Sequence, residues 1–246
     1  MITKGISCTI ERRLLVNYRI EPEVVAAQLP SPFRPQLVSG WAVGGVCFLR
    51  LRDVRPAGAP AGFGLTSENV AHRFAVEWDD IDGSHVGVYV PRRDTGSRLA
   101  SWSGGRLFPG VYRPARFHAN DLGSSLSIDV TSRDGEVWLS VSALGADALG
   151  GQLFTRTDDA ARFFREGALG YSPAGNGEYF EGVRLMSKCW EVSPVSIRHM
   201  VSSLFDNHRL FPRGTCTLDS GLVMRDLPVR WRAQRKLRPR GTVAVA

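Results

Sequence analysis

The sequence contains very little lysine. Of its 31 lysine and arginine residues, only Lys4, Lys188 and Lys236 are lysines, and the formal net charge is +7. Lysine is the usual residue for Schiff-base chemistry, whereas arginine binds carboxylate and phosphate groups through paired N–H donors. The composition therefore leaves little room for amine chemistry and favours anion recognition, although a GC-rich genome would produce the same bias.

Cysteine is also scarce, and long apolar runs are absent. Cys8, Cys47, Cys189 and Cys216 form no C-x-x-C pair, so they match neither metal-site spacing nor a disulfide scaffold. The first residues contain no apolar signal-peptide core, and no stretch approaches 18 apolar residues. We therefore expect free thiols in a cytoplasmic protein that has no membrane partner.

Several common catalytic and cofactor motifs are missing. The sequence contains no G-x-x-x-x-G-K-[ST], no G-x-G-x-x-G after a strand, no G-x-S-x-G and no H-E-x-x-H. The five histidines are not spaced as a set of metal ligands. No metal ion and no cofactor is predicted.

The hydrophobic pattern predicts one mainly antiparallel α+β or β-barrel domain spanning residues 1–246, because short strands dominate without regular βαβ alternation. Asp82-Gly83 and Asp134-Gly135 predict two hairpin turns. The predicted strands are residues 7–19, 41–51, 67–78, 85–90, 111–117, 126–130, 137–141, 182–192, 195–205 and 215–224. The predicted helices are residues 21–29, 94–107 and 157–166. Residues 230–246 are predicted to form a basic tail.

Residues 90–121 carry the strongest signal for a site. Its basic residues are Arg92, Arg93, Arg98, Arg106, Arg113, Arg116 and His118. Asp94 or Thr95 is predicted to cap a helix that ends at Pro109-Gly110 and leads into an extended segment. Such an arrangement can line an anion pocket, but a solvated basic face paired with Asp94 and Asp121 explains the same residues.

Five segments in this order give the sequence a family resemblance. They are RRLLVNYRIEPEVVAAQLP, TSENVAHRFAVEW, GGRLFPGVYRPARF, SRDGEVW and LFPRGTCTLDSGLVMRDLPVRW. The sequence resembles the acetoacetate decarboxylase-like superfamily, within its bacterial branch of conserved domains of unknown function. The resemblance implies a conical antiparallel β-barrel with a few short outer helices, a pocket inside the barrel, and a homo-oligomer.

The resemblance breaks down at the catalytic lysines. Members that decarboxylate β-keto acids carry two adjacent lysines after a helix whose end resembles Gly105-Arg106-Leu107, and one of the two forms a Schiff base. The pair would fall at residues 108–111, where this sequence has no lysine. Without an amine no iminium forms, so Schiff-base decarboxylation is not expected.

Other family positions carry over in part. Glu68 lies close to the family's catalytic glutamate. The family's strand arginine falls near Arg12, with Arg13 as the alternative. A second family glutamate lands near Val46 and is absent. The resemblance therefore implies a retained pocket with altered catalytic groups.

We expect this protein to bind a small anionic carboxylate or keto acid. Arg106 and Arg116, with Arg12 and Arg98, are predicted to neutralise the anion. Glu68 and His118 are predicted to supply hydrogen bonds or proton transfer.

Two alternatives stay open. One is a lysine-independent lyase or isomerase, such as a dehydratase, hydratase or tautomerase, with Glu68 as general acid or base. The other is a non-catalytic protein whose basic tail binds nucleic acid, which is the less favoured partner.

Overall fold

The computed structural model describes residues 5–62, 64–99 and 110–239, and nearly all of its regular structure is strand. All described strands belong to one 13-stranded sheet. Two described helices accompany it, α1 (Pro22–Ala26) and α2 (Thr157–Glu166). The predicted mainly antiparallel α+β class is confirmed. No helix in these ranges is long and apolar enough to cross a membrane.

The strands are numbered in chain order. They are β1 (Ile6–Ile20), β2 (Arg34–Pro35), β3 (Leu37–Val38), β4 (Trp41–Pro56), β5 (Leu65–Asp80), β6 (Gly83–Thr95), β7 (Tyr112–Asp121), β8 (Ser125–Ser132), β9 (Trp138–Gly145), β10 (Leu169–Pro173), β11 (Phe180–Met186), β12 (Ser193–Ser202) and β13 (Cys216–Leu237).

Both predicted Asp-Gly hairpins form. Asp80 pairs with Gly83 across the β5–β6 turn, and Thr131 pairs with Trp138 across the β8–β9 turn. In β8 the alternate residues Leu126, Ile128 and Val130 are buried while their neighbours face outward. This period of two places one apolar face on the core and is what made the strand predictable.

The sheet closes on itself through β13. The pairings run β13–β1–β4–β5–β6–β10–β11 and return from β11 to β13, which we call the seven-strand ring. A branch of four strands, β7–β8–β9–β12, also connects β6 with β13. Most pairs are antiparallel, but β6 pairs in parallel with both β7 and β10. The fold is therefore a ring with a branch rather than a simple barrel.

The branch meets the ring at β6 and β13, and the five ring strands from one to the other, β13, β1, β4, β5 and β6, which we call the shared strands, have two different faces. The face toward the branch packs into the main core, where Leu14, Phe48 and Phe74 join Ile128 and Val141. The opposite face points into the seven-strand ring. At one part of that inner face α2 packs through Phe164 against Leu15, Cys47 and Ala75, in a separate cluster. Strand alternation thus divides the interior into two compartments.

Three predictions near the helices require correction. Asp94 and Thr95 do not cap a helix, because both lie in β6, which is longer than the alternation indicated. Helix α1 covers only Pro22–Ala26, and Arg156, not Thr157, precedes α2 without a side-chain capping bond. The rest of the helix predicted at 94–107, including Arg106, lies largely outside the described residues.

The predicted basic tail is also wrong over its first part. Residues up to Leu237 continue β13, where Trp231 pairs with Ile6 of β1 and with Leu185 of β11. The segment lacks apolar periodicity, yet backbone partners on two neighbouring strands hold it extended. Sequence alone could not reveal those partners, because they are distant along the chain.

Candidate functional site

A cavity of about 200 Å³ lies within the seven-strand ring. Every strand of the ring contributes to its wall, and α2 contributes Phe164. Most of the wall is apolar: Leu49, Leu51, Val54, Leu65, Val88, Val90, Val183, Leu185 and Trp231. Water in this cavity therefore makes few hydrogen bonds with the wall, which carries only a small number of polar groups.

Arg73 of β5 is the most unusual polar residue of this wall. Its side chain is buried, and Nη2 donates a hydrogen bond of 2.5 Å to Asn17 Oδ1. Its guanidinium carbon lies 4.6 Å from the centre of the Phe164 ring. Within the part of the chain that the structure describes, its buried Nε and Nη1 have no hydrogen-bond partner. Two strong donors thus remain unused beside an apolar cavity, although buried donors are nearly always paired.

Neighbouring residues hold the Arg73 side chain in place. Asn17, itself buried, donates from Nδ2 to Ser220 Oγ at 3.2 Å, so the acceptor of Arg73 is fixed by β13. A Cβ at Gly45 would lie 3.4 Å from Arg73 Nη2 and would also collide with the carbonyl oxygen of Val16. Glycine is therefore required at position 45 by the Val16 backbone, and the Arg73 guanidinium packs directly against it.

The pKa of Arg73 is lowered to about 10, mainly by burial; Cys47 opposes the change, and the neighbouring positive charge of Arg13 contributes to it. The residue is still charged near neutral pH. A buried charge without an opposite charge is costly, because water no longer solvates it. The Phe164 ring face and Asn17 offset part of that cost.

Arg13 of β1 lines the same cavity. Its Nε donates to Cys47 Sγ at 3.4 Å and its Nη1 to Met224 Sδ at 3.8 Å, and its guanidinium lies 5.6 Å from the Trp190 ring centre. All of these partners are uncharged. Within the described ranges, neither Arg13 nor Arg73 forms an ion pair with a carboxylate.

Arg93 of β6 is the third arginine of the wall. Its Nη1 donates to Ser172 Oγ, and its guanidinium lies 5.7 Å from the Tyr112 ring centre. Among the described residues that line the cavity there is no Asp, Glu, His or Lys. The wall therefore carries the positive charges of Arg13 and Arg73 without a described carboxylate partner, and the described lining side chains that could transfer a proton are Cys47 and Tyr112.

The structure brings together two of the residues predicted from the sequence, Arg12 and Glu68. Arg12 Nη2 lies 2.6 Å from Glu68 Oε2, Arg50 Nη1 lies 3.1 Å from Glu68 Oε1, and Asp121 is 3.6 Å from Arg12. Neither residue lines the cavity. Arg12 and Arg13 are consecutive in β1, so they point to opposite faces, and Arg13 is the one that reaches the cavity.

The other predicted residues lie elsewhere. Arg98, Arg116 and His118 are exposed and do not line the cavity, and Arg116 and His118 belong to β7 in the branch. Arg106 lies outside the described residues. The binding or catalytic roles of Arg12, Glu68, Arg98, Arg106, Arg116 and His118 stay predictions.

Arg73 was not predicted from the sequence, and Arg13 was predicted only as the alternative to Arg12. The available signal for Arg73 was an arginine within the buried strand segment HRFAVEW. An arginine in a buried strand can line a cavity or form an ion pair in the core, and the sequence does not distinguish these two cases. Identifying Arg73 as a residue of the cavity wall requires the positions of Gly45 and Asn17, which belong to other strands.

The two described lysines do not reach the cavity wall. Lys188 is exposed, and Lys236 lies 4.0 Å from Glu181 with its Nζ 3.7 Å from the Tyr179 ring centre. Neither is among the lining residues. The geometry thus places no described amine where a bound acid would meet it.

Comparison with known families and structures is informative about the fold. The family DUF2071, described as an uncharacterized conserved protein, matches residues 7–219. No curated protein matches the chain.

Three solved structures are similar over nearly the whole chain. Acetoacetate decarboxylase from Legionella pneumophila is 13% identical, with a TM-score of 0.58 over 94% of this chain and 88% of its own. An acetoacetate decarboxylase-like enzyme from Sphingomonas wittichii is 12% identical, with a TM-score of 0.58 over 95% and 91%. The enduracididine biosynthesis enzyme MppR, complexed with pyruvate, is 10% identical, with a TM-score of 0.56 over 95% and 89%.

Proposed function

Since the chain belongs to the DUF2071 family and has an acetoacetate decarboxylase-like fold, we propose that it binds a small organic acid in the cavity of the seven-strand ring. The observation that carries the proposal is the buried Arg73 guanidinium, whose Nε and Nη1 lack partners among the described residues. A carboxylate beside it would accept a charge-assisted hydrogen bond.

Electrostatics supports the same ligand. Arg13 and Arg73 line one apolar space, and neither has a carboxylate partner among the described residues. The positive charge of Arg13 already disfavours the charged form of Arg73. A bound anion reverses this penalty, and its attraction is strong because the surrounding dielectric is low. A neutral or cationic ligand would gain nothing comparable.

The fold neighbours point in the same direction. MppR binds pyruvate, which is a keto acid, within the same fold class. The present chain lacks a described lysine at its cavity, so the proposal is recognition of the acid and includes no Schiff-base decarboxylation.

The two alternative functions gain no specific support. A lysine-independent lyase or isomerase using Glu68 needs this carboxylate at the ligand, but Glu68 is held by Arg12 and Arg50 and is not part of the cavity wall. The nucleic-acid hypothesis requires a free basic tail, and residues up to Leu237 are paired in β13.

Calorimetric titration with carboxylic acids tests the proposal. Arg73→Met removes the charge while keeping a long apolar side chain, and Arg116→Met removes an equal charge from an exposed position of β7. We expect Arg73→Met to weaken binding at least about tenfold, as losing a hydrogen bond to a charged group does, and Arg116→Met to change it by less than about twofold. Equal affinity in wild type and Arg73→Met would reject the proposal.

Borohydride treatment in the presence of a keto acid such as pyruvate adds a second test, because only a keto group can form a Schiff base with a lysine. We expect no covalent adduct. A trapped adduct on Lys188 or Lys236 would show that an amine reaches the ligand and would contradict recognition without a Schiff base.

A further inference from the structure

The wall of the cavity restricts the kind of acid that fits it. Apolar side chains from β4, β5, β6 and β11, including Leu49, Leu51, Val88, Val90 and Val183, surround the space. Such a wall cannot replace the hydrogen bonds that a polar ligand makes with water. Every polar ligand atom without a partner here would lower the affinity.

Two polar groups of the wall are bonded within the protein. Asn69 Nδ2 donates to the carbonyl oxygen of Ser67 at 3.1 Å and to Ser67 Oγ at 2.9 Å. Arg93 donates to Ser172 Oγ. A keto or hydroxyl group of the ligand that lies beside Asn69 or Arg93 would compete with these bonds. The carboxylate, in contrast, finds the two unused N–H groups of Arg73.

The volume gives the size of the ligand. An engineered apolar cavity of about 150 Å³ is large enough for benzene. The present cavity of about 200 Å³ therefore accommodates a phenyl ring or a chain of several carbons together with a carboxylate. A three-carbon keto acid such as pyruvate would leave much of the apolar wall without contacts, and the unfilled space would contribute no binding energy.

From these observations we infer that the cavity takes a monocarboxylic acid with an apolar body, aromatic or medium-chain aliphatic. The inference rests on the proposed function and specifies the ligand class of the same site. Arg73 holds the carboxylate, and the Leu and Val side chains of the ring cover the apolar body. Each methylene that enters the cavity tightens binding about fourfold, by the usual transfer free energy of a buried CH₂ group.

A ligand series on the full-length wild-type protein tests the inference without a mutation. Calorimetric dissociation constants are measured for acetate, butyrate, hexanoate and phenylacetate, for pyruvate, and for the neutral phenylacetamide. We expect affinity to rise about fourfold per added methylene from acetate to hexanoate. Phenylacetate should bind at least tenfold more tightly than both pyruvate and phenylacetamide.

A cavity-filling variant locates the effect. Ala71 lines the cavity, between Cys47 and Arg93 in the strand register. Ala71→Leu should weaken hexanoate and phenylacetate at least tenfold and acetate less than threefold, because only the larger acids need the filled space. Equal losses for all acids would count against an apolar subsite next to Ala71.

The outcomes separate the two proposals. If pyruvate binds as tightly as hexanoate and phenylacetate, and Arg73→Met abolishes binding of all three, the cavity binds acids but the apolar ligand class is wrong. If phenylacetamide binds as tightly as phenylacetate, no carboxylate is recognised and both proposals fail. Both also fail if none of the acids binds.

Discussion

The two faces of the shared strands β13, β1, β4, β5 and β6 differ in how fully they are packed and in whether their buried charges are paired. Toward the branch, Phe48 and Phe74 fill the interior, and the charge of Arg12 is balanced by Glu68 and Asp121. Toward the seven-strand ring, a cavity remains, and Arg73 has no described carboxylate partner. A protein that balances a buried arginine on one side has the means to do so on the other. The unbalanced side is therefore the side on which we propose that a ligand binds.

The largest expected effect comes from truncating neighbours on opposite faces of β4. Phe48 is 1% exposed in the filled core, whereas Leu49 is half-buried and lines the cavity. We expect Phe48→Ala to lower the free energy of unfolding by about 3–5 kcal/mol, because it leaves a new hole in a packed core. Leu49→Ala enlarges an existing space and should cost about 1–2 kcal/mol. Urea denaturation of both variants measures the difference, and equal losses would contradict the division into filled and hollow faces.

The next effect concerns His72, which lies on the filled face. Its pKa is lowered to about 4, mainly by burial and also by the charge of Arg92. Its Nε2 has no partner among the described residues, and its ring lies 6.2 Å from that of Phe205. Folded His72 stays neutral while the unfolded chain takes up a proton near pH 6.5. Its stabilising contribution is therefore complete above about pH 6.5 and is lost as the pH falls toward 4, by roughly 3 kcal/mol.

His72→Phe provides the matched measurement, because phenylalanine keeps a ring beside Phe205 and cannot titrate. Unfolding free energies at pH 4.5 and pH 7 should differ less in this variant than in the wild type. An unchanged difference would show that other groups cause the pH dependence in this range.

A smaller effect is expected where the filled face balances its charges. Glu68→Gln removes the charge between Arg12 and Arg50 while keeping the shape of the side chain. Arg12 is buried, so we expect a loss of about 1–3 kcal/mol in the free energy of unfolding. Acid binding should remain within twofold, since Glu68 does not line the cavity. Loss of acid binding without loss of stability would instead indicate that Glu68 belongs to the binding site.

The smallest effects are expected at exposed residues that the sequence nominated. Arg98→Ala and His118→Ala should each change the unfolding free energy by less than about 0.5 kcal/mol and leave acid affinity within twofold. Thermal denaturation and titration check both values. A tenfold loss of affinity in either variant would place the site at the basic stretch rather than inside the ring.

Strand positions and hairpins were predictable because they depend on local signals. Asp-Gly turns and the alternation of Leu126, Ile128 and Val130 appear directly in the sequence. The extent of β6 beyond Val90 and the course of β13 to Leu237 were not predictable, because pairing with β5 in the first case and with β11 in the second holds those polar segments extended.

Only the general type of the candidate site, a pocket for an anion, could be predicted from the sequence. The family resemblance and the arginine content indicated a pocket for an anion, and of the two alternatives Arg12 and Arg13, Arg13 lies in the cavity wall. Sequence clustering favoured Arg98, Arg106 and Arg116, which are close along the chain. The arginines of the cavity wall, Arg13, Arg73 and Arg93, come from three strands, so the ring closure and not the sequence interval brings them together.

The pairing of Ile6 with Trp231 means that the ring is closed by contacts between residues very far apart in the sequence. Nearly all of β13 must therefore leave the ribosome before the cavity exists. Contacts of such high contact order form slowly, so nascent and refolding chains should pass through a period with open strand edges. An acid that binds only the closed ring would act as a pharmacological chaperone, raising the yield of folded protein without speeding ring closure.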